Sequence, residues 1–169
     1  NRHRLIDLTP GALDVSEQVS VGEHNGGLCF IASPDNVTQR YLQRSPLDGS
    51  GKIEQVTPSS LAGTNGYSVS ADARWAIHSH SSFLSPPVVS LVSLPDHTVH
   101  HVFEDNAELV AKLGQLELGE LEFYSVNARD GLQLDGYMLR PPNFDPERKY
   151  PIVNFVYGEP AGQTVRDIW

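Results

Sequence analysis

The 169-residue sequence contains one cysteine, one methionine and two tryptophans, and its aromatic content is only 8%. The lone Cys29 excludes an internal disulfide and any paired-cysteine metal motif. It stands in the apolar run Leu28-Cys29-Phe30-Ile31-Ala32, where a buried structural thiol is expected. Long apolar runs are absent: no segment approaches the ~18 residues a membrane helix needs. Asn1-Arg2-His3-Arg4 leads into only a short apolar stretch, unlike a signal peptide. Basic residues are scarce, 12 Lys and Arg against 21 Asp and Glu, for a net charge of −9. That balance argues against nucleic acid as a partner, because phosphate binding needs clustered cations. No Gly-x-Ser-x-Gly nucleophile elbow occurs, and Gly49-Ser50-Gly51-Lys52 has the spacing of neither an elbow nor a phosphate loop. The chain does not start with methionine and stops at Trp169 soon after a strand-like run, so a longer parent protein is expected.

What is present is a succession of short apolar segments broken by turn residues. Strands are expected at Arg4 to Leu8, Val15 to Val21, Leu28 to Ser33, Arg40 to Ser45 and Lys52 to Thr57. A second set follows at Tyr67 to Ser70, Trp75 to His80, Val88 to Ser93 and Thr98 to Phe103. Between them lie Asn25-Gly26-Gly27, Ser33-Pro34-Asp35-Asn36, Leu47-Asp48-Gly49 and Asn65-Gly66, which read as turns. Asn25 and Asp72, Phe30 and Ile77, and Leu47 and Leu94 are each 47 residues apart; Val56 and Val102 are 46 apart. This interval matches the roughly 40–50 residues of a four-stranded propeller blade, a small sheet that buries its faces only against its neighbours. Residues 1–104 therefore read as propeller blades.

From residue 105 the pattern changes. Asp105-Asn106 can cap a short helix through Val110 and Leu113, with Glu108 near its start. Leu121 to Asn127 and Leu134 to Leu139 read as two strands joined by a turn at Asp130-Gly131. Pro141-Pro142-Asn143-Phe144-Asp145-Pro146 is a loop, since proline lacks the N–H of a ladder. Tyr150-Pro151-Ile152-Val153-Asn154-Phe155-Val156-Tyr157 is almost continuously apolar, the pattern of a strand buried on both faces of an α/β sheet. Gly158-Glu159-Pro160-Ala161-Gly162 follows it as a turn, where such folds place ligand-contacting loops.

His78 and His80 alternate on one strand and share a face, with His97, His100 and His101 near the next strands. No carboxylate stands at a fitting interval, so no metal site is expected and the histidines read as exposed or hydrogen-bonded. Asn36-Val37-Thr38 fits a glycosylation sequon, a triplet common by chance.

Read together, these segments resemble the dipeptidyl peptidase IV branch of the prolyl oligopeptidase superfamily, whose members join a β-propeller to an α/β-hydrolase domain. Phe30 to Gly49 is similar to a late propeller blade of that family, and Tyr67 to Trp75 to the opening of the next. Val102-Phe103-Glu104-Asp105-Asn106 resembles the run into the hydrolase domain, continued by Leu139 to Asp145 and Lys149-Tyr150-Pro151. Most specific is Val156-Tyr157-Gly158-Glu159-Pro160-Ala161-Gly162-Gln163-Thr164-Val165, similar to the family's Tyr-Gly-Gly-Pro-Gly-Ser-Gln segment. The chain differs from the family pattern at Glu159, at Ala161-Gly162, and at Leu13, where tryptophan is common.

The resemblance implies a mainly β chain: last propeller blades over 1–104, then a linker helix and the first strands of a hydrolase domain over 105–169. It implies a parent serine exopeptidase that removes X-Pro or X-Ala dipeptides from peptide N-termini, without a cofactor, as a homodimer. Tyr157 then corresponds to the family's oxyanion-hole tyrosine. In that family the nucleophilic serine, aspartate and histidine lie beyond the segment where this chain ends, so the chain by itself is expected to be inactive. Two alternatives stay open: an inactive homologue whose propeller binds proteins, and another hydrolase of the superfamily such as an acylaminoacyl peptidase.

Overall fold

A computed structural model describes residues 5–9, 13–22, 27–156, 158 and 162–169. The chain divides into two compact units, one running to Ala107 and taking up Asp167–Trp169, the other Glu108–Arg166.

The first unit is built from two four-stranded antiparallel meanders. One comprises β1 (Val15–Gly22), β2 (Gly27–Ala32), β3 (Tyr41–Ser45) and β4 (Glu54–Gln55); the other comprises β5 (Thr64–Val69), β6 (Trp75–Ser82), β7 (Ser85–Ser93) and β8 (Val99–Glu104). In both, spatial order equals sequence order. The 47-residue interval thus aligns strand with strand, β2 with β6, but not environment with environment. Phe30 is completely buried, whereas Ile77 is 40% exposed.

The two sheets meet along a seam that is part apolar and part polar. Cys29, Ile31 and Leu42 of the first sheet form a buried cluster against which Val19, Val56, Tyr67 and Leu94 pack. Main-chain bonds cross the seam: Arg40 N–H donates to Gly63 C=O at 2.9 Å, and Asn65 N–H to Arg40 C=O at 3.2 Å. Gly63 sits at φ +125°, and a Cβ there would collide with the Ser81 carbonyl, so the close approach requires glycine.

Several expectations are corrected. Leu5 to Leu8 is not a strand, and Leu5 is 97% exposed; the segment touches the first sheet through Ser45 Oγ, which donates to Leu8 C=O. Lys52 to Thr57 shortens to Glu54–Gln55, because Val56 and Thr57 N–H both turn to Leu42 C=O and Pro58 offers no donor. Asn65-Gly66 is not a turn: both residues lie inside β5, with Asn65 buried. β7 starts at Ser85 and so includes Pro86 and Pro87. This is tolerated because β8 pairs with β7 only as far as Val89, leaving the prolines without a donor to supply on that side.

The second unit contains most of α1 (Ala107–Leu113) and a hairpin of β9 (Leu121–Asn127) with β10 (Gln133–Leu139). Asp105 Oδ1 accepts from Ala107 N–H at 2.9 Å, the capping contact expected of the aspartate. The hairpin is in perfect register from Leu121↔Leu139 to Asn127↔Gln133. Arg140 pairs with Glu120 and Glu122 and lies 5.4 Å over the Phe144 ring. No helix among the described residues is long and apolar enough to cross a membrane.

The expected buried strand from Tyr150 to Tyr157 is overturned across its described residues. Residues 151–156 form no strand, and Ile152, Val153, Phe155 and Val156 are 77–96% exposed. An inner strand needs ladder partners on both edges and cover on both faces. Among the described residues, β9 and β10 pair with each other and no further strand joins either outer edge, so neither ladder nor cover is in place for this run.

Leu42 has no exposed surface and belongs to the buried cluster of the seam, so its truncation tests that packing directly. Leu42→Ala is expected to lower unfolding free energy by about 2–5 kcal/mol. Urea unfolding checks this, and a loss below about 1 kcal/mol would show that the seam is not a packed core.

Candidate functional site

Tyr157, the residue implied as an oxyanion donor, lies outside the described residues, as do Glu159, Pro160 and Ala161. Around them, Val156 is 78% exposed, Gly158 has open space where a Cβ would stand, and Gly162, Gln163 and Thr164 are exposed. The described residues on either side of Tyr157 are thus largely exposed.

The densest chemistry lies in the seam of the first unit. Asn65, 2% exposed, is its fixed point. Both protons of its side-chain NH2 are committed, to Arg40 C=O and to Leu61 C=O, each at 2.9 Å. Oδ1 must therefore be the atom facing His78 Nε2 at 2.9 Å, and an amide oxygen only accepts. His78 consequently carries its proton on Nε2. Its ring stacks on Tyr67 at 4.7 Å and meets His97 edge-on at 4.7 Å. Tyr67 Oη is 2.8 Å from His97 Nε2 and 2.8 Å from Thr57 Oγ1, which accepts from Leu42 N–H. One assignment satisfies every group: Thr57 donates to Tyr67, and Tyr67 donates to His97.

Burial dominates the electrostatics. Desolvation, aided by His97 and His80, pulls the His78 pKa down to about 3. Desolvation also lowers His97, partly offset by a hydrogen bond to its own backbone and by Asp96. The Tyr67 phenol is pushed upward by burial. All three are neutral at pH 7, and the network has no charge to place on a substrate.

A serine, a histidine and an aspartate also converge on the exposed turn after β7. His100 Nε2 is 3.1 Å from Ser93 Oγ, which donates to Asp96 Oδ1 at 2.9 Å. This is not a nucleophilic triad. In a triad histidine takes the serine proton and the acid orients the histidine, whereas here the serine proton goes to the aspartate. Hydrogen bonds from Thr98 and Ser93 hold the Asp96 pKa below the usual carboxylate range. Among the described residues no three His, Cys, Asp or Glu side chains are grouped to hold a metal ion.

The alternation of His78 and His80 was legible beforehand, and both are hydrogen-bonded, His80 Nε2 to Ala62 C=O at 2.9 Å. Asn65, Tyr67, Thr57 and His97 were not legible as one group. They come from three separate segments, with Asn65 and Tyr67 together on β5, brought together by the meeting of the sheets.

No protein-family profile matches the chain. The protein named "probable dipeptidyl-aminopeptidase B" in Emericella nidulans is 34% identical over 163 residues, covering 95% of this chain and 18% of the relative. A protein of the same name in Talaromyces stipitatus is 32% identical over 168 residues, covering 98% of this chain and again 18% of the relative. The crystal structure of Porphyromonas gingivalis dipeptidyl peptidase 4 superposes with a TM-score of 0.83 at 25% identity, over 95% of this chain and 22% of that one. This chain matches part of a dipeptidyl peptidase IV-like protein. It spans about a fifth of the length of these relatives. The dipeptidyl peptidase IV-like resemblance runs through both units, because almost the whole chain is aligned.

The buried histidines give the first unit a defined acid response. His78 titrates near 6.5 when unfolded and about 3 when folded. Below pH 6.5 the unfolded chain binds a proton the folded unit refuses, so stability falls as pH drops toward 3. His78→Gln, which keeps an N–H donor toward Asn65, should flatten this slope. Denaturant midpoints from pH 7 to pH 4 test it; equal slopes in both proteins would place the acid sensitivity elsewhere.

Proposed function

We propose that this chain is part of a serine dipeptidyl peptidase that cleaves X-Pro or X-Ala dipeptides from peptide N-termini. Residues 1–104 are the last blades of its propeller, and 105–169 are the linker helix and first strands of its hydrolase domain. The observation that carries the reading is the near-complete alignment of the chain with dipeptidyl-aminopeptidase B proteins and with dipeptidyl peptidase 4. Two features support the domain reading: the pair of four-stranded meanders, and the uncovered apolar segment Ile152–Val156, which asks for neighbouring strands.

In this reading Tyr157 donates its phenolic proton to the carbonyl oxygen of the scissile bond. That oxygen gains negative charge as the serine attacks, so a donor fixed at ~2.7–3.1 Å stabilises the tetrahedral transition state more than the substrate. Serine, aspartate and histidine are contributed from beyond Trp169. Substrates are peptides with Pro or Ala at the second position, and the parent works as a homodimer.

The test has two arms. The coding region beyond Trp169 should encode Gly-x-Ser-x-Gly followed by aspartate and histidine. In that full-length enzyme, Tyr157→Phe should lower kcat on an X-Pro reporter by about 10²–10³ with little change in KM. A hydrolase region without the serine, or a Tyr157→Phe enzyme with unchanged kcat, would overturn the assignment.

A further inference from the structure

Asp167 is the point at which the chain leaves the second unit and rejoins the first. It makes four hydrogen bonds there, divided evenly between the two sheets. To the first-sheet side, its N–H donates to Thr38 C=O at 2.8 Å, and its Oδ2 accepts from Gln39 Nε2 at 3.2 Å. To the second, its C=O accepts from Thr64 Oγ1 at 2.8 Å, and its Oδ1 accepts from Phe83 N–H at 2.8 Å. Thr38 and Gln39 precede β3, Thr64 opens β5, and Phe83 lies in the turn between β6 and β7. The four partners thus bracket the stretch where Arg40 and Asn65 carry main-chain bonds across the seam.

We propose that Asp167 is a clamp residue that holds the two sheets of the first unit together, so that closure of the seam depends on the chain returning from the second unit. The residue type fits the task. A carboxylate has two acceptor oxygens at fixed separation, and here each serves a different sheet, while its charge strengthens both bonds. An apolar side chain could engage neither partner. The seam needs such a fastening because, among the described residues, only a few main-chain bonds join the sheets, and Arg40 and Thr64 form just an isolated parallel bridge.

This inference stands on the hydrogen bonds alone, independently of the peptidase reading. Its test is hydrogen exchange of the full chain, read by mass spectrometry on peptides containing Arg40 and Asn65. Asp167→Ala should speed exchange at those seam amides about tenfold or more, since it removes the acceptor of two charge-assisted bonds. Thr64→Val, which leaves Asp167 in place and removes one neutral bond, should speed it about fivefold. Peptides covering β9 and β10 should exchange at unchanged rates in both variants. Unchanged seam exchange in both variants would overturn the clamp, as would equal acceleration in β9 and β10, which would mark general loosening.

Discussion

The first unit depends on satisfying one buried amide. Asn65 has four hydrogen-bonding positions on its side chain and main-chain N–H together, and each meets a fixed partner: Arg40 C=O twice, Leu61 C=O, and His78. A buried amide left unpaired costs about 1–3 kcal/mol, so these partners cannot drift independently. That constraint helps hold the two sheets at bonding distance and sets the tautomer of His78, whose ring lies on Tyr67. Tyr67 then needs a partner for its own hydroxyl, and Thr57 and His97 provide it. The apolar cluster around Leu42 supplies the larger share of the driving force, but hydrophobic contact has no direction. The polar set decides how the sheets meet.

That division explains what was legible in the sequence. Strand existence follows from short apolar runs and turn residues, and eight of the expected segments stand close to their observed bounds in β1 to β3, β6 to β10. The repeat interval was visible for the same reason: each meander has the same sequence of strands and turns. Asn65-Gly66 failed because the dipeptide is a strong hairpin signal when nothing else is known. Its place in β5 is set by Arg40, 25 residues earlier, and no local pattern carries that information. The four-residue overestimate at Lys52 to Thr57 has a similar origin, since Leu42 draws Val56 and Thr57 out of the ladder.

The candidate site shows the opposite balance. Tyr157 was reached from a motif and its resemblance to a family, and the described residues around it form no rigid frame. The run Ile152 to Val156 has the composition of an inner strand, yet composition states only what such a segment can bury. Whether it is buried depends on a ladder partner and on cover for its faces, and among the described residues neither is in place. A pattern can be read correctly while the environment it calls for is missing. The seam network could not be read at all, because its members are scattered from Thr57 to His97 and none belongs to a spaced motif.

Chemical richness and catalytic capacity therefore fall in different places. The seam gathers two histidines, a tyrosine, a threonine and an amide, but burial keeps each neutral and each proton is already committed to a neighbour. A general base must hold a free lone pair toward a substrate, and a nucleophile must have a proton to give to that base. The Ser93, Asp96 and His100 group fails on the second count, since its serine proton rests on a carboxylate. Polar side chains in this chain are spent on architecture. The proposed oxyanion donor, Tyr157, is a member of neither group.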